Sequence, residues 1–257
     1  MSAPAPFPDP HDALFSAIAA RAAASDRQGG DLAADIAALH EAGWLAACLP
    51  LERGGQGWGC AQEGLAGAFA ALRGLGRANL SVARLFEGHM NAVKLVMLYG
   101  GEETQARVAQ SVHAGELLGV WGADEPDHPL ALARNGADLV LEGAKRFASG
   151  LGLVQQAVGA INGETGPLLV LAPAGDPARG DPSGWAVAGM RATQSGRYDF
   201  SGVELPADAV LGERGDYTRE PHFEGGVWRY CAAHCGGAEA LVALFREALL
   251  ERGRIED

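Results

Sequence analysis

Basic side chains are scarce in this 257-residue sequence. Lys and Arg number 20 against 32 Asp and Glu, the formal charge is −12, and Lys94 and Lys145 are the only lysines. Phosphate neutralisation needs clustered cations, so this balance argues against a nucleic-acid partner and reads as a solvated acidic surface. Cysteine is confined to Cys48, Cys60, Cys231 and Cys235, which are expected to be free thiols in a reducing, cytoplasmic setting. The first residues, rich in proline, lack a basic segment followed by an apolar core, so no leader peptide is expected. No window approaches the roughly 18 unbroken apolar residues of a membrane span. Hydrophobic residues make up 48% and charged residues 20%. That composition is globular rather than disordered, and the length suits one large domain or two ordinary ones.

Other signatures are missing too. Residues 50–59 hold Gly54, Gly55, Gly57 and Gly59, but no Gly-Lys-Ser/Thr ending and no dinucleotide-binding spacing, so a phosphate cradle is not indicated. A structural loop, or one at the mouth of a substrate site, is expected instead. His89 has no second His, Cys or Asp at ligand spacing and reads as a hydrogen-bonded helix histidine. Cys231, His234 and Cys235 share a helix face, but three ligands so close, without a fourth, suit a structural zinc poorly, and no metal is expected.

What is present divides by periodicity. Helical spacing runs through residues 12–24, 31–42, 61–75, 79–99 and 102–111, after a proline-rich lead-in at 1–10. From Leu117 the period shortens. Strands are expected at 117–123, 137–141, 156–161, 167–172, 185–190 and 198–203, each bounded by Gly, Pro, Asp or Asn. Helical spacing returns over 223–252, with Leu241, Leu244, Phe245, Ala248 and Leu249 in one stripe. The expected architecture is α+β: a helical N-terminal domain (1–116), a small antiparallel, barrel-like β domain (117–217), and a first helix of a further helical domain (218–257).

Four motifs stand in order on these elements: Pro50-Leu-Glu-Arg-Gly-Gly-Gln-Gly57, Trp121-Gly-Ala-Asp-Glu-Pro126, Gly143-Ala-Lys-Arg-Phe-Ala-Ser149, and Gly189-Met-Arg-Ala-Thr193 followed by Val203-Glu-Leu-Pro206. Each is weak alone; together they resemble the acyl-CoA dehydrogenase family over about residues 30–250. The resemblance implies an FAD-dependent flavoprotein that oxidises an acyl-CoA thioester, or another small hydrophobic substrate, as a homo-oligomer. Phe147 would lie against one face of the isoalloxazine, where the family usually has Trp. Ser149 would meet the hydride-accepting edge, and Trp121, Ala123 and Asp124 the pyrimidine side.

The departures are chemical. Asp124 replaces a threonine, setting a carboxylate where a hydroxyl usually bonds an electron-rich ring; when ionised it accepts and cannot donate. Asp127-His-Pro-Leu130 replaces the Gly-Ser pair, so Leu130 is the expected substrate contact. The family's catalytic glutamate lies in helices beyond the first of its C-terminal bundle, and the alternative base position, aligned on Arg229-Tyr-Cys-Ala-Ala, is Trp228. Glu224 is the one nearby candidate base. Three readings stay open: a dehydrogenase, a flavin-dependent monooxygenase that needs no such base, and a non-catalytic partner subunit.

Overall fold

The computed structural model describes residues 12–28, 30–135 and 138–254; the lead-in at 1–10 and the expected strand start at Ala137 lie outside them. Its centre is α5 (Leu80–Tyr99), thirteen of whose residues are buried, including Phe86, His89, Met90 and Val93. A helix apolar on most of its circumference must be surrounded. Here α4 (Leu65–Ala78), α7 (Trp228–Glu251) and the first strand, β1 (Leu117–Trp121), pack against it. Asn79 starts α5 by accepting the Ser81 amide at 3.0 Å, a side-chain cap that isolates the helix from α4. The outer helices are α1 (Asp12–Gln28), α2 (Ala33–Glu41), the short α3 (Trp44–Ala47) and α6 (Glu102–His113). Trp44 meets Trp58 edge-on at 5.4 Å and Phe86 at 5.9 Å, which anchors α3 and the glycine-rich loop to α5. Within that loop Gly54, Gly57 and Gly59 have φ between 69° and 79°. The Gly57 amide donates to Leu49 and the Trp58 amide to Ala47, so the glycines fold the loop back on its own helix.

The β region forms three sheets rather than a closed barrel among the described residues. One has the order β1, β5 (Val154–Ile161), β6 (Leu168–Pro173), β10 (Val210–Leu211); another β2 (Ala131–Asn135), β3 (Asp138–Glu142), β9 (Val203–Leu205); the third β4 (Ala144–Ala148), β8 (Gly196–Asp199), β7 (Gly180–Asp181). Pairing is antiparallel except between β1 and β5, which run parallel with Gly119 opposite Ala157. Parallel pairing needs a long crossover, and the chain uses β2, β3 and β4 for it. Two expected strands come out differently. Residues 185–190 are irregular. The expected strand 198–203 breaks at a turn where the Phe200 amide donates to Gly143 and the Gly202 amide to Leu141, so β8 and β9 enter different sheets. No helix among the described residues is long and apolar enough to cross a membrane.

Close backbone contact holds α7 to α4. A Cβ on Gly76 would strike the Ala233 carbonyl, and one on Gly236 the Arg73 carbonyl. Two helices approach this closely only where side chains are absent. Beyond that contact Leu241, Leu244 and Phe245 are more than 60% exposed, while Leu249 is half-buried.

His89 ties the helices to the β region. Its Nε2 donates to the Leu45 carbonyl at 3.1 Å, and its Nδ1 accepts the Leu118 amide of β1 at 3.0 Å. Accepting requires a neutral ring, and full burial pushes its pKa down to about 4. The folded protein therefore binds fewer protons at this group than the unfolded chain does between its ordinary value near 6.5 and about 4. Stability from His89 is complete above that window and falls as pH drops through it, by up to about 1.4 kcal/mol per pH unit. Urea midpoints measured from pH 7 to 4 should show this slope, and His89→Gln, which can keep both hydrogen bonds without titrating, should flatten it.

Candidate functional site

The site grows from Lys145 on β4. Its side chain is fully buried, and its ammonium donates to the Gly122 carbonyl at 3.0 Å, to the Ala160 carbonyl, and to Asp124 Oδ1 at 2.6 Å. Asp124 completes its own set by accepting from the Leu130 amide at 3.1 Å and from Asn162 Nδ2 at 2.5 Å. Burial opposes ionisation of Asp124, yet the bonds from Lys145 and Asn162 outweigh it and hold the carboxyl below its ordinary value. The carboxylate that the sequence sets opposite an electron-rich ring is thus turned inward onto an ammonium. Leu130 follows it inward. Its side chain is 3% exposed and packs over Gly159, so it fills the core. Trp121 is buried as well, against Tyr198 at 5.1 Å, and its indole N–H donates to the Ser149 carbonyl at 3.1 Å. Ala123 is half-buried and its carbonyl takes the Arg146 amide at 3.0 Å.

Phe147 does the opposite. In the middle of a strand it adopts φ 55°, and its ring stands 55% exposed. The Arg146 guanidinium lies 5.1 Å from the ring centroid and Trp185 meets its edge at 6.5 Å. Among the described residues the other non-glycine residues in the left-handed region are Met190 and Gln194. All three border the same patch. Trp185 Nε1 donates to the Met190 carbonyl at 3.0 Å, Thr193 Oγ1 donates to that carbonyl at 2.9 Å, and Thr193, Ser195 and Ser149 form a hydroxyl chain with steps of 2.8 and 2.7 Å. Left-handed bulky residues cost about 1–3 kcal/mol each and gather where function demands them. Ser149 sits at the end of this chain, beside Arg84 and Gly88 of α5, Val120 and Trp121.

Along the same side of α5 a second element opens. Glu87, Asn91, Lys94 and Leu95, with Tyr217, His222, Phe223, Gly226, Val227, Arg229 and Tyr230, line a cavity of about 340 Å³. Arg229 is 4% exposed, donates through Nη2 to Asn91 at 2.6 Å, and holds Nε 3.5 Å from Glu87 Oε1. The other oxygen of Glu87 is paired with Arg84. Glu224 is exposed in the turn before α7 and does not line the cavity, and Trp228 is half-buried against the core. Neither brings a carboxylate to the cavity lining. Cys231, His234 and Cys235 are exposed on α7, where His234 bonds the Tyr230 carbonyl at 2.7 Å. The sequence reading did not single out Arg229, Asn91 or Ser195. For Arg229 the available signal was a charged residue inside an otherwise apolar helix start.

This arrangement, helices over a set of small sheets with an aromatic shelf at their junction, is the fold of acyl-CoA dehydrogenases. Residues 12–116 match the acyl-CoA dehydrogenase N-terminal domain, so this part of the chain is of the acyl-CoA dehydrogenase family. The chain is 30% identical over 211 residues to the dibenzothiophene monooxygenase of Rhodococcus erythropolis, an alignment covering 75% of this chain and 48% of that protein. It is similar to TdsC from Paenibacillus sp. A11-2, solved with FMN and indole, at TM-score 0.67 and 26% identity over 80% of this chain and 53% of that one. Butyryl-CoA dehydrogenase from Megasphaera elsdenii shares the fold at TM-score 0.76 and 20% identity, covering 91% and 64%. The chain spans about half the length of the curated relatives it matches.

Removing Lys145 tests the inward pair. Lys145→Met should destabilise the protein by about 3 kcal/mol or more, because it strands Asp124 with its charge. Adding Asp124→Leu should recover part of that loss in urea unfolding, since an apolar pair leaves nothing uncompensated.

Proposed function

We propose that this chain is the flavin-holding portion of a flavin-dependent monooxygenase built on the acyl-CoA dehydrogenase fold. The observation that carries the reading is Phe147, an exposed ring held at a strained backbone angle beside three linked hydroxyls. A planar, hydrogen-bonding ring system fits that patch: Phe147 offers a face, Ser149 offers a hydroxyl oxygen that accepts at its edge, and Gly122 leaves open space where a Cβ would stand. When bound, a reduced flavin supplies the electrons that activate dioxygen for transfer of one oxygen atom to a substrate. The protein's part is to orient the ring, keep water from it and seat the substrate along α5.

Oxygenation is favoured over thioester dehydrogenation by the charges on α5. Removing an α proton needs a free carboxylate within reach. Among the described residues lining the cavity the carboxylate is Glu87, and its two oxygens face the guanidinium groups of Arg84 and Arg229. The monooxygenase names of relatives near 30% identity support the same choice, and the FMN bound by TdsC favours FMN over the FAD that the family resemblance implies. The test is reconstitution followed by turnover. The purified protein should retain FMN through gel filtration, and with a flavin reductase should consume oxygen in the presence of a small aromatic substrate. Ferricenium-coupled oxidation of acyl-CoA by the same protein would overturn the choice. Phe147→Gly separates binding from folding, because glycine relieves the left-handed strain. It should raise stability by about 1 kcal/mol while weakening FMN binding about tenfold.

The exposed apolar face of α7 supports association with further helices. Sedimentation should show concentration-dependent self-association that Phe245→Glu reduces.

A further inference from the structure

The cavity between α5 and the start of α7 carries more positive charge than it neutralises. Two cations, Lys94 and Arg229, line it with one carboxylate, Glu87, which Arg84 also pairs from outside the cavity, in a chain whose formal charge is −12. Lys94 donates only a long 3.3 Å bond to the His222 carbonyl. Arg229, almost wholly buried, leaves Nη1 without a hydrogen-bond partner, and its Nε has only the 3.5 Å approach to Glu87. Burial lowers the pKa of Lys94, and the charge of Arg229 lowers it further, so these two cations lie within each other's field. A buried guanidinium N–H left unpaired costs more than an ordinary lost hydrogen bond. Two adjacent cations add repulsion that only an anion relieves. The rest of the lining is aromatic: Tyr217 and Phe223 meet edge-on at 5.3 Å, with Tyr230 beside them.

We infer that this cavity seats a small aromatic or aliphatic organic anion, a carboxylate, sulfinate or sulfonate, whose oxygens accept from Arg229 Nη1 and from Lys94 while its carbon body lies on Tyr217, Phe223 and Tyr230. The inference rests on the oxygenase reading for the meaning of the seat: Glu87, which lines the cavity, pairs with Arg84, and Arg84 stands beside Ser149, so α5 links the seat to the Phe147 patch. It deepens that reading by setting the substrate class apart from the small hydrophobic molecule expected from the sequence. A volume of about 340 Å³ is near the lower end for small-molecule sites and holds a one-ring anion. Asn91 Oδ1 and Glu87 serve as positioning groups, since each engages Arg229 from the α5 side and leaves Nη1 free.

The test is a binding measurement that needs neither flavin nor oxygen, so its outcome is independent of whether the protein proves to be an oxygenase. Fluorine NMR titrations of para-fluorobenzoate and of its neutral counterpart para-fluorobenzamide, at low salt, should show the anion binding at least tenfold more tightly. Arg229→Gln should abolish that preference. Because this change also strips Glu87 of a partner and can unfold the protein, Lys94→Gln serves as the second variant. Lys94 is only half-buried, so the variant should fold and should still weaken the anion several-fold without affecting the amide. Equal binding of acid and amide to the unaltered protein would overturn the proposal. So would an unchanged preference in Lys94→Gln, or displacement of the benzoate by inorganic phosphate and FMN at equal potency, which would give the seat to the flavin's own phosphate.

Discussion

A lysine ammonium buried at the meeting of two sheets has to find all of its acceptors inside the protein. Lys145 finds three, drawn from two segments: Gly122 and Asp124 at the exit of β1, and Ala160 on β5, a strand of another sheet. With the ammonium held, β4 is fixed against β1, and the residues that follow Lys145 have no freedom to slide. Arg146 donates to Ala123, Phe147 is forced outward with a positive φ, and Ser149 arrives at the Thr193–Ser195 hydroxyls. The aromatic shelf is thus the far end of an electrostatic constraint. A buried ion pair is a weak source of net stability but a strong source of uniqueness when every lone pair is used. Here Asp124 is satisfied by Lys145, Leu130 and Asn162 together.

Much of this was legible in the sequence, and what was not shares a cause. The helix period over 79–99 gave α5 within a residue, because thirteen buried positions on one helix leave a pattern that no single substitution hides. The run Gly143–Ser149 announced its strand, its aromatic and its hydroxyl. The inward turn of Asp124 was not legible, since its partner Lys145 is twenty-one residues away and pairing across sheets leaves no local mark. The parallel register of β1 on β5 was hidden for the same reason, and the strand expected at 185–190 failed because the Trp185 amide turns back to the Pro182 carbonyl while the Met190 carbonyl takes the Trp185 indole and the Thr193 amide instead of a ladder. Leu130 and Trp121 read as site residues by position, yet both lie in the core that supports the site. Arg229 entered the sequence reading only as an alignment landmark; its unpaired Nη1 is a property of three packed segments.

The shelf and the cavity are separate devices joined by one helix. Arg84 stands near Ser149 and pairs with Glu87, Glu87 faces Arg229, and Asn91 accepts from it, so the face of α5 from residue 84 to 91, about 10 Å long at 1.5 Å per residue, carries an unbroken polar line between them. Along that line the charges alternate, which keeps each buried group compensated by its neighbour until the last, where an N–H remains.

The hydrogen atoms of Gly76 and Gly236 have a reach beyond the helix pair they join. Gly236 lies seven residues from Arg229, two turns along a rigid α7, so a methyl at either glycine would pivot the helix and swing the guanidinium relative to Asn91. The aperture of the cavity is therefore set at a remote fulcrum. Selection for a wider or narrower ligand could act there, at residues that never touch it, leaving the charged lining untouched.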